Sequence, residues 1–397
     1  MQRSATASTT SVLRIMNERA VFAEVFRLGK ASRPELARVT GLSKPTVAVA
    51  LNNLEEAGLL RQVGLRAGPA GRSALLYEVR PQAGHVLAVD IGHAYVRVAL
   101  ADLVGEIVAR RAEPSRAART GDLLDQLTRL ADELTAAAGI TRAEVTLAVF
   151  GTPGIHDKAT GSLHLAANLP GWEQRDSVAR LAGIAGPAFV VENDVDLAAI
   201  GEASYGLGQG LRHFVYLSIG TGAGMGIVID GQLYRGHRGA AGEIGYLPIG
   251  DGDPLLEEPE ARRRGMFESV ASAGGVVATA RRLGMTGAAT TKDVFDAARA
   301  GDPAARQAVD READHLSRAL AGITAVLDPE LVVLGGGVGS HAGDLLTGPV
   351  LDRLRHLVVL QPPRIEVSTL GGDAVLLGAL AVGLTGARDL VLERRTG

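Results

Sequence analysis

The chain has 397 residues, of which 46% are hydrophobic and 21% are charged, and this length predicts a globular protein of two or three domains. It has no cysteine, which excludes disulfide bonds and metal sites built from thiolates. The polar first residues are unlike a signal peptide, and no apolar run approaches the roughly 20 residues that span a bilayer. We therefore expect a cytoplasmic protein without membrane contact.

Charge is distributed unevenly along the chain. Residues 1–80 contain 12 Lys and Arg against 6 Asp and Glu, a net charge of about +6, whereas the remainder contains 29 against 38, about −9. The formal net charge of −3 conceals this difference. A basic first segment on an acidic body indicates a polyanionic partner for that segment, although ordinary scatter of charges would explain it as well.

The first segment has the pattern of a helix-turn-helix. Apolar residues recur at helical spacing from Val12 to Leu28. Ser32 is placed to cap a short helix, Pro34–Val39, and Ser43 to cap a third helix that ends near residues 57–58. Two helices joined by a four-residue turn that contains glycine are typical of DNA-binding proteins.

A basic hairpin is predicted after the third helix. Two short strands, Leu59–Val63 and Ala74–Val79, flank a glycine-rich basic stretch, so residues 1–82 are predicted to be a winged helix-turn-helix domain. We expect the third helix to face the major groove and the wing to reach phosphates or a minor groove. A helical hairpin that serves dimerisation is the alternative. The predicted DNA-binding residues are Ser43, Lys44, Pro45, Thr46, Asn52, Arg66 and Arg72.

The rest of the chain is organised around one stretch. An apolar run, Ala188–Val191, leads into Glu192-Asn193-Asp194 and then into a helical segment of small residues. Polar groups at the carboxyl end of a buried strand face the crevice in which open α/β sheets bind ligands. Asp194 is the best candidate to meet a ligand hydroxyl, either as a base that removes its proton or as a group that only holds it.

Further short motifs, several of them rich in glycine, occur before and after this stretch. Glycine-rich loops between strands let a backbone approach a phosphate closely. In chain order the motifs are Asp90-Ile91-Gly92, Gly151-Thr152-Pro153-Gly154, Asn168-Leu169-Pro170-Gly171-Trp172, Glu192-Asn193-Asp194, Gly220-Thr221-Gly222-Ala223-Gly224, Ala241-Gly242-Glu243-Ile244-Gly245 and Gly335-Gly336-Gly337. Together they resemble the ROK family of repressors, open reading frames and sugar kinases, over nearly the whole chain.

The resemblance implies an α/β protein in which a two-lobed body, with an actin-like and ribonuclease-H-like fold, follows the winged helix-turn-helix. We expect lobe 1 over residues 83–200 with a C-terminal helix at 374–397, and lobe 2 over 201–373 with the sugar cleft and the dimer contacts. Family members of this kind are homodimers or dimers of dimers that bind palindromic operators and respond to a sugar. Helices are also predicted at Val270–Leu283, Thr291–Ala298 and Asp302–Ala325.

The resemblance also implies a set of sugar ligands. Carboxylates suit this role because their oxygens accept hydrogen bonds from adjacent hydroxyls, although solvated loop carboxylates are the alternative. The implied ligands are Asn168, Asn193, Asp194, Glu243 and Glu268, with Tyr246 at the position of a histidine that contacts sugar in the family.

The sequence departs from the family's kinases at two sites. Their opening loop reads Asp-x-Gly-Gly-Thr, whereas here His93-Ala94 removes the glycine that admits ATP phosphates and the threonine that donates to one. Tyr246 replaces a histidine of the family's zinc site, and the stretch from Glu257 to Met266 replaces its three cysteines. We therefore expect no zinc, no other cofactor and no catalysis, with Asp194 retained to grip a hydroxyl.

The sequence thus predicts a DNA-binding transcriptional regulator, a repressor of genes for sugar uptake or metabolism, whose affinity for its operator changes when a sugar binds. One alternative is an ATP-dependent sugar kinase that retains a DNA-binding head. Another is a constitutive DNA-binding protein with an inactive pocket.

Overall fold

A computed structural model describes residues 3–67, 73–116, 119–157, 162–164, 176–249, 256 and 261–396. These residues form a mixed α/β structure with two five-stranded sheets, a three-stranded sheet near the N-terminus and a two-stranded hairpin. The predicted fold class, a winged helix-turn-helix followed by an α/β body, is confirmed.

The N-terminal part is the winged helix-turn-helix. Gly41, in the left-handed conformation at φ 71°, ends the second helix, and the Ser43 side chain accepts a hydrogen bond from the backbone of Thr46 to cap the third. Strands β1 and β2 both pair antiparallel with β3. The elements are α1 (Arg3–Leu28), β1 (Ala31–Ser32), α2 (Arg33–Thr40), α3 (Lys44–Glu56), β2 (Leu60–Ala67) and β3 (Ser73–Val79).

Two of these elements are longer than the sequence pattern predicts. Helix α1 begins at Arg3 rather than near Val12, because the residues before Val12 are helix-compatible Ala, Ser and Thr with little apolar periodicity. Strand β2 continues past Val63 to Ala67, which extends the wing. Arg72 falls within residues 68–72, outside the described part of the chain.

The first sheet of the body has the order β10-β7-β4-β5-β6. Strands β10, β7 and β4 are parallel, and β4, β5 and β6 form an antiparallel meander. All seven residues of β4 are buried, as expected of a strand covered on both faces. The elements are β4 (His85–Ile91), β5 (Tyr95–Asp102), β6 (Ile107–Pro114), α4 (Thr120–Ala137), β7 (Leu147–Thr152), β8 (Ile155–Asp157), β9 (Ser162–His164), α5 (Asp176–Ala185), β10 (Phe189–Asn193) and α6 (Asp194–Tyr205).

The second sheet repeats this plan with the order β13-β12-β11-β14-β15. An antiparallel meander of three strands is again followed by two parallel strands, so the two halves of the body share one topology. The elements are β11 (Phe214–Ile219), β12 (Ala223–Ile229), β13 (Gln232–Leu233), α7 (Ala261–Arg264), α8 (Met266–Ala271), α9 (Ala273–Arg282), α10 (Thr291–Ala300), α11 (Pro303–Leu327), β14 (Leu331–Gly335), α12 (Gly336–Leu357), β15 (Arg364–Val367) and α13 (Ala374–Thr396).

Two helices lie between the sheets. Helix α13 packs on β4, β7 and α6, and α6 packs on β11 and β12. The stretch Gly371–Arg394 is, by length and composition alone, apolar enough to cross a membrane, which the sequence analysis did not expect. Half of this stretch is buried, and Leu376 and Leu380 belong to the core. Packing between two sheets therefore accounts for its apolar composition.

One predicted helix is in fact two. The segment predicted as Val270–Leu283 is divided at Ser272, which ends α8 and caps α9. The Ser272 hydroxyl accepts a hydrogen bond from the Gly275 backbone at 3.4 Å, a capping role that competes with a continuous helix. The helices predicted at Thr291–Ala298 and Asp302–Ala325 are confirmed, and Asp302 is the cap of α11.

Candidate ligand cleft and DNA-binding surface

The first turn of α6 forms the floor of a cleft between the two halves of the body. Asn193 is the N-cap of this helix, and its side-chain oxygen accepts hydrogen bonds from the backbone of Val195 at 2.9 Å and Asp196 at 3.0 Å. Its side-chain nitrogen donates to the carbonyl of Gly154 at 3.0 Å. Asn193 therefore ties the helix to the loop after β7, and both polar ends of its amide are already engaged.

Asp194 follows at the first position of α6. Its Oδ1 accepts a hydrogen bond from the Val195 backbone at 2.9 Å, while its Oδ2 has no hydrogen bond from the described residues. Burial raises the pKa of Asp194 from 3.8 to about 6, against the opposing effect of its backbone hydrogen bonds. The carboxylate thus has one oxygen available to a ligand hydroxyl.

Asp194 faces a cavity of about 210 Å³, here called the acidic cavity. Glu243 and Glu268 line it as well, together with His93 and the glycine-rich loop Gly220–Gly224. Burial, and then repulsion from Asp194 and Glu268, raises the pKa of Glu243. Three carboxylates thus converge on one small polar space.

The glycine-rich loop Gly220–Gly224 holds the Glu268 carboxylate in position. The backbone of Ala223 donates to Glu268 Oε2 at 3.1 Å, and a Cβ added at Gly222 would lie 2.8 Å from that oxygen. Burial raises the pKa of Glu268, partly offset by this hydrogen bond and by Arg264. A side chain at 222 would displace the Glu268 carboxylate from this position.

An ion pair connects the two halves of the body beside the cavity. Arg235 Nη2 lies 2.7 Å from Glu192 Oε2, and its Nε donates to the same carboxylate at 3.1–3.2 Å. Glu192 belongs to β10, whereas Arg235 begins the loop that leads to Glu243. Sequence reasoning missed this pair because the partners are 43 residues apart, one in a strand and the other in a loop of the second half of the body.

Two further sugar ligands were predicted, Asn168 and Tyr246. Asn168 lies within residues 165–175, outside the described ranges. Tyr246 is 45% exposed and is not among the residues that line the acidic cavity, although Glu243 and Glu268, after burial, raise its pKa. The sugar-binding roles of all six residues stay predictions.

A second cavity of about 540 Å³ adjoins the first, and both are lined by Asp194 and Thr221. On its far side Arg97 Nη1 lies 3.0 Å from Asp90 Oδ2. Burial raises the pKa of Asp90 to about 7 in spite of this pairing, because Asp194 and Asp373 add repulsion. Asp90, next to the last residue of the first strand of the body, therefore already has an internal partner.

The third helix presents a mixed surface for DNA. Lys44, Pro45 and Asn52 are exposed, and Val49 is 56% exposed at the centre of the same face. A valine methyl group suits contact with the methyl group of thymine, which the sequence analysis did not foresee for this position.

Three other predicted DNA contacts have partners within the protein. The hydroxyls of Ser43 and Thr46 lie 2.8 Å apart, so Ser43 organises the first turn of α3. Arg66 in the wing pairs with Glu35 of α2 at 3.1 Å. These roles, and that of Arg72, remain predictions.

Comparison with known protein families gives two matches. The profile of the ROK family matches residues 86–385, and that of winged helix-turn-helix DNA-binding domains matches residues 19–61. Each covers one of the two parts seen in the structure.

Individual relatives include both regulators and enzymes. A glucokinase of Halalkalibacterium halodurans is 32% identical over 317 residues, 74% of this chain and 92% of its own. A xylose repressor of Caldicellulosiruptor bescii is 26% identical over 377 residues, 88% of this chain and 91% of its own. The crystal structure of a ROK family transcriptional regulator, a homologue of the E. coli MLC protein, covers 97% of this chain and 99% of its own, with a TM-score of 0.76 and 23% identity. The last comparison shows that the two parts share the fold of that regulator.

Proposed function

The chain belongs to the ROK family, and from this premise we propose that it is a DNA-binding transcriptional repressor whose affinity for its operator changes when a sugar binds. The observation that carries this proposal is the presence, in one chain, of a winged helix-turn-helix and of an acidic cavity at the N-terminus of α6. The xylose repressor relative spans both parts, whereas the glucokinase relative is similar over 317 residues only.

The acidic cavity suits a polyhydroxylated ligand. Asp194 offers an oxygen to a ligand hydroxyl, and Glu243 and Glu268 line the same cavity of about 210 Å³. Hydroxyl groups that donate to these carboxylates would compensate for their loss of solvent. Asn168 and Tyr246 complete the proposed ligand set, whereas Asn193 acts by holding the first turn of α6 in place.

Two features argue against phosphoryl transfer. The pairing of Arg97 with Asp90 neutralises a carboxylate that would otherwise help to hold a metal-bound nucleotide. His93 lines the acidic cavity where the kinases of the family have glycine. We therefore propose that Asp194 holds a hydroxyl without activating it. The glucokinase relative supports the competing assignment, a sugar kinase with a DNA-binding head.

The remaining parts of the proposal concern assembly and domain boundaries. We assign the DNA-binding domain to residues 1–82, lobe 1 to 83–200 with 374–397, and lobe 2 to 201–373. A homodimer or a dimer of dimers would present two winged helix-turn-helix domains to a palindromic operator in the cytoplasm. No zinc is proposed, because Tyr246 and a chain without cysteine offer none of the N/S ligands of the family's zinc site.

The test uses the full-length protein. Operator sequences are selected from a random oligonucleotide pool, and binding to the best of them is titrated by fluorescence anisotropy with and without a panel of hexoses, pentoses and amino sugars. We expect at least one sugar to change the operator Kd by about 5-fold or more. A parallel assay measures ADP release with the same sugars. Sugar-dependent ADP release that Asp194→Asn abolishes would favour the kinase.

A further inference from the structure

Helix α6 leads from the acidic cavity to α13, the helix that contacts the DNA-binding head. Asp194 is its first residue and Tyr205 its last, so its 12 residues span about 18 Å. A ligand that contacts Asp194 therefore contacts one end of a rigid rod. The middle turns of the rod, at Leu197 and Gly201, pack against α13.

The backbones of α6 and α13 are in direct contact. A Cβ added at Gly378 would lie 1.8 Å from the carbonyl oxygen of Leu197, and one added at Gly201 would lie 2.3 Å from that of Ala374. No side chain separates the two helices at these positions. Close-packed backbones transmit a displacement instead of absorbing it through side-chain rotation, so α6 and α13 are expected to move together.

Helix α13 reaches the head at its far end. The guanidinium of Arg388 lies 3.4 Å from the centre of the Phe26 ring in α1. Burial lowers the pKa of this guanidinium, and the electrostatic effect of Tyr205 opposes the shift. Five residues further along α13, Glu393 pairs with Arg19 of α1 at 2.9 Å. Helix α13 thus contacts α1 at two points, Arg388 and Glu393.

Within the head, α1 is bound to the recognition helix. Val21, Phe22 and Val25 of α1 are buried in the same apolar cluster as Leu51 and Leu54 of α3. The buried carboxylate of Glu18 also accepts a hydrogen bond from Asn53 of α3 at 2.6 Å. A rotation of α1 therefore carries α3 with it.

We propose that the contact of Arg388 in α13 with Phe26 in α1 is the joint through which sugar binding changes the angle of the DNA-binding head. Arg388 and Phe26 are positioning residues, since neither touches sugar or DNA. A sugar that shifts the first turn of α6 moves α13 with it, and Arg388 passes this movement to α1 and so to α3. The inference rests on the proposed function, because it requires a sugar at Asp194 and an operator at α3.

The test compares Arg388→Ala with Arg394→Ala, a matched exposed arginine on the same helix. Sugar binding is measured by calorimetry, and operator binding by anisotropy with and without the sugar. In wild type and Arg394→Ala, sugar changes the operator Kd by the same factor, about 5-fold or more. In Arg388→Ala this factor falls toward 1, while the sugar Kd stays within about 2-fold, because the acidic cavity is untouched.

A second variant covers the case in which Arg388→Ala no longer folds. Arg388→Lys keeps the positive charge and the aliphatic stem but loses the planar group that stacks on Phe26. It too is expected to bind sugar normally and to lose most of the effect on operator affinity. If both variants retain the full effect of sugar, the joint is refuted while the proposed function stands. If no sugar alters operator binding in the wild type, both fail together.

Distance measurements supply a direct view of the head. The chain has no cysteine, so Arg33→Cys in the head and Glu106→Cys in the body give two unique spin-label positions on exposed residues. We expect the sugar to shift the distance distribution between them in the otherwise wild-type protein and to leave it unshifted with Arg388→Ala. A sugar-induced shift that persists in Arg388→Ala would contradict the inference.

Discussion

The ion pair between Glu192 and Arg235 is expected to hold the two halves of the body together, and Arg235→Ala tests this. Glu192 is 7% exposed, and it accepts from two nitrogens of Arg235 at 2.7–3.2 Å. Removal of one partner from a buried pair costs ~3–5 kcal/mol, because the other charge stays buried without compensation. The Arg235 side chain is 38% exposed, so solvent reduces this cost, and we expect about 2–3 kcal/mol at pH 8.

The size of this effect depends on pH. Asp196 has a pKa that burial and then Glu192 raise to about 7, and Arg235 opposes this shift, so loss of Arg235 raises the pKa of Asp196 further. A carboxylate with a raised pKa contributes stability that is present at low pH and lost as pH rises through that pKa. Arg235→Ala should therefore be less destabilised at pH 5 than at pH 8.

The assay is urea unfolding of the full-length protein at both pH values, with Arg238→Ala as the control. Arg238 is exposed on the same loop and has no ion pair among the described residues. We expect the control to change the free energy of unfolding by less than about 0.5 kcal/mol. Equal destabilisation of Arg235→Ala at pH 5 and pH 8, or a loss no larger than the control's, would refute the reasoning.

Three further predictions concern the two binding surfaces. Asp194→Asn should weaken sugar binding at least tenfold. Because the pKa of Asp194 is raised to about 6, the substitution should also increase the free energy of unfolding by about 1–3 kcal/mol at pH 8, a gain that disappears by pH 4 in urea titrations. Lys44→Ala should reduce the slope of log operator affinity against log salt by about one, whereas an unchanged slope would remove Lys44 from the phosphate contacts. Val49→Ala should cost discrimination at one thymine-containing base pair by about 1 kcal/mol, measured as a Kd ratio between matched and substituted operators; a ratio equal to that of wild type would contradict the assignment.

Local sequence patterns predicted most of the head and the outline of the body. The helices that follow Ser43 and Asp302 are predictable from the sequence. Both the cap and the apolar spacing of a helix depend on residues only a few positions apart. The division at Ser272 was missed because a serine within an apolar helical pattern does not reveal whether it caps a new helix.

The contacts at the cavities were not predicted, and the two ion pairs there differ in how far the sequence could have shown them. Arg97 faces Asp90 across the hairpin of β4 and β5. This pair could have been predicted from the antiparallel register around the turn at residues 92–94. Glu192 lies in β10 and Arg235 in a loop after β13, and no local pattern joins them. His93 was considered only because it replaces a glycine of the kinases, whereas in the structure it lines the acidic cavity.

The position of α13 has a consequence for synthesis of the protein. This helix follows every other described element in the chain, yet Leu376 and Leu380 complete the apolar core on β4 and β7. Ribosomes add about 5–20 residues per second, so roughly 15–60 s separate completion of the winged helix-turn-helix at Val79 from release of α13. During this interval the nascent chain contains the complete DNA-binding head, and the face of the first sheet that α13 will cover is still exposed. Chaperones that bind such a face would act before Arg388 reaches Phe26, and thus before the head is fixed to the body.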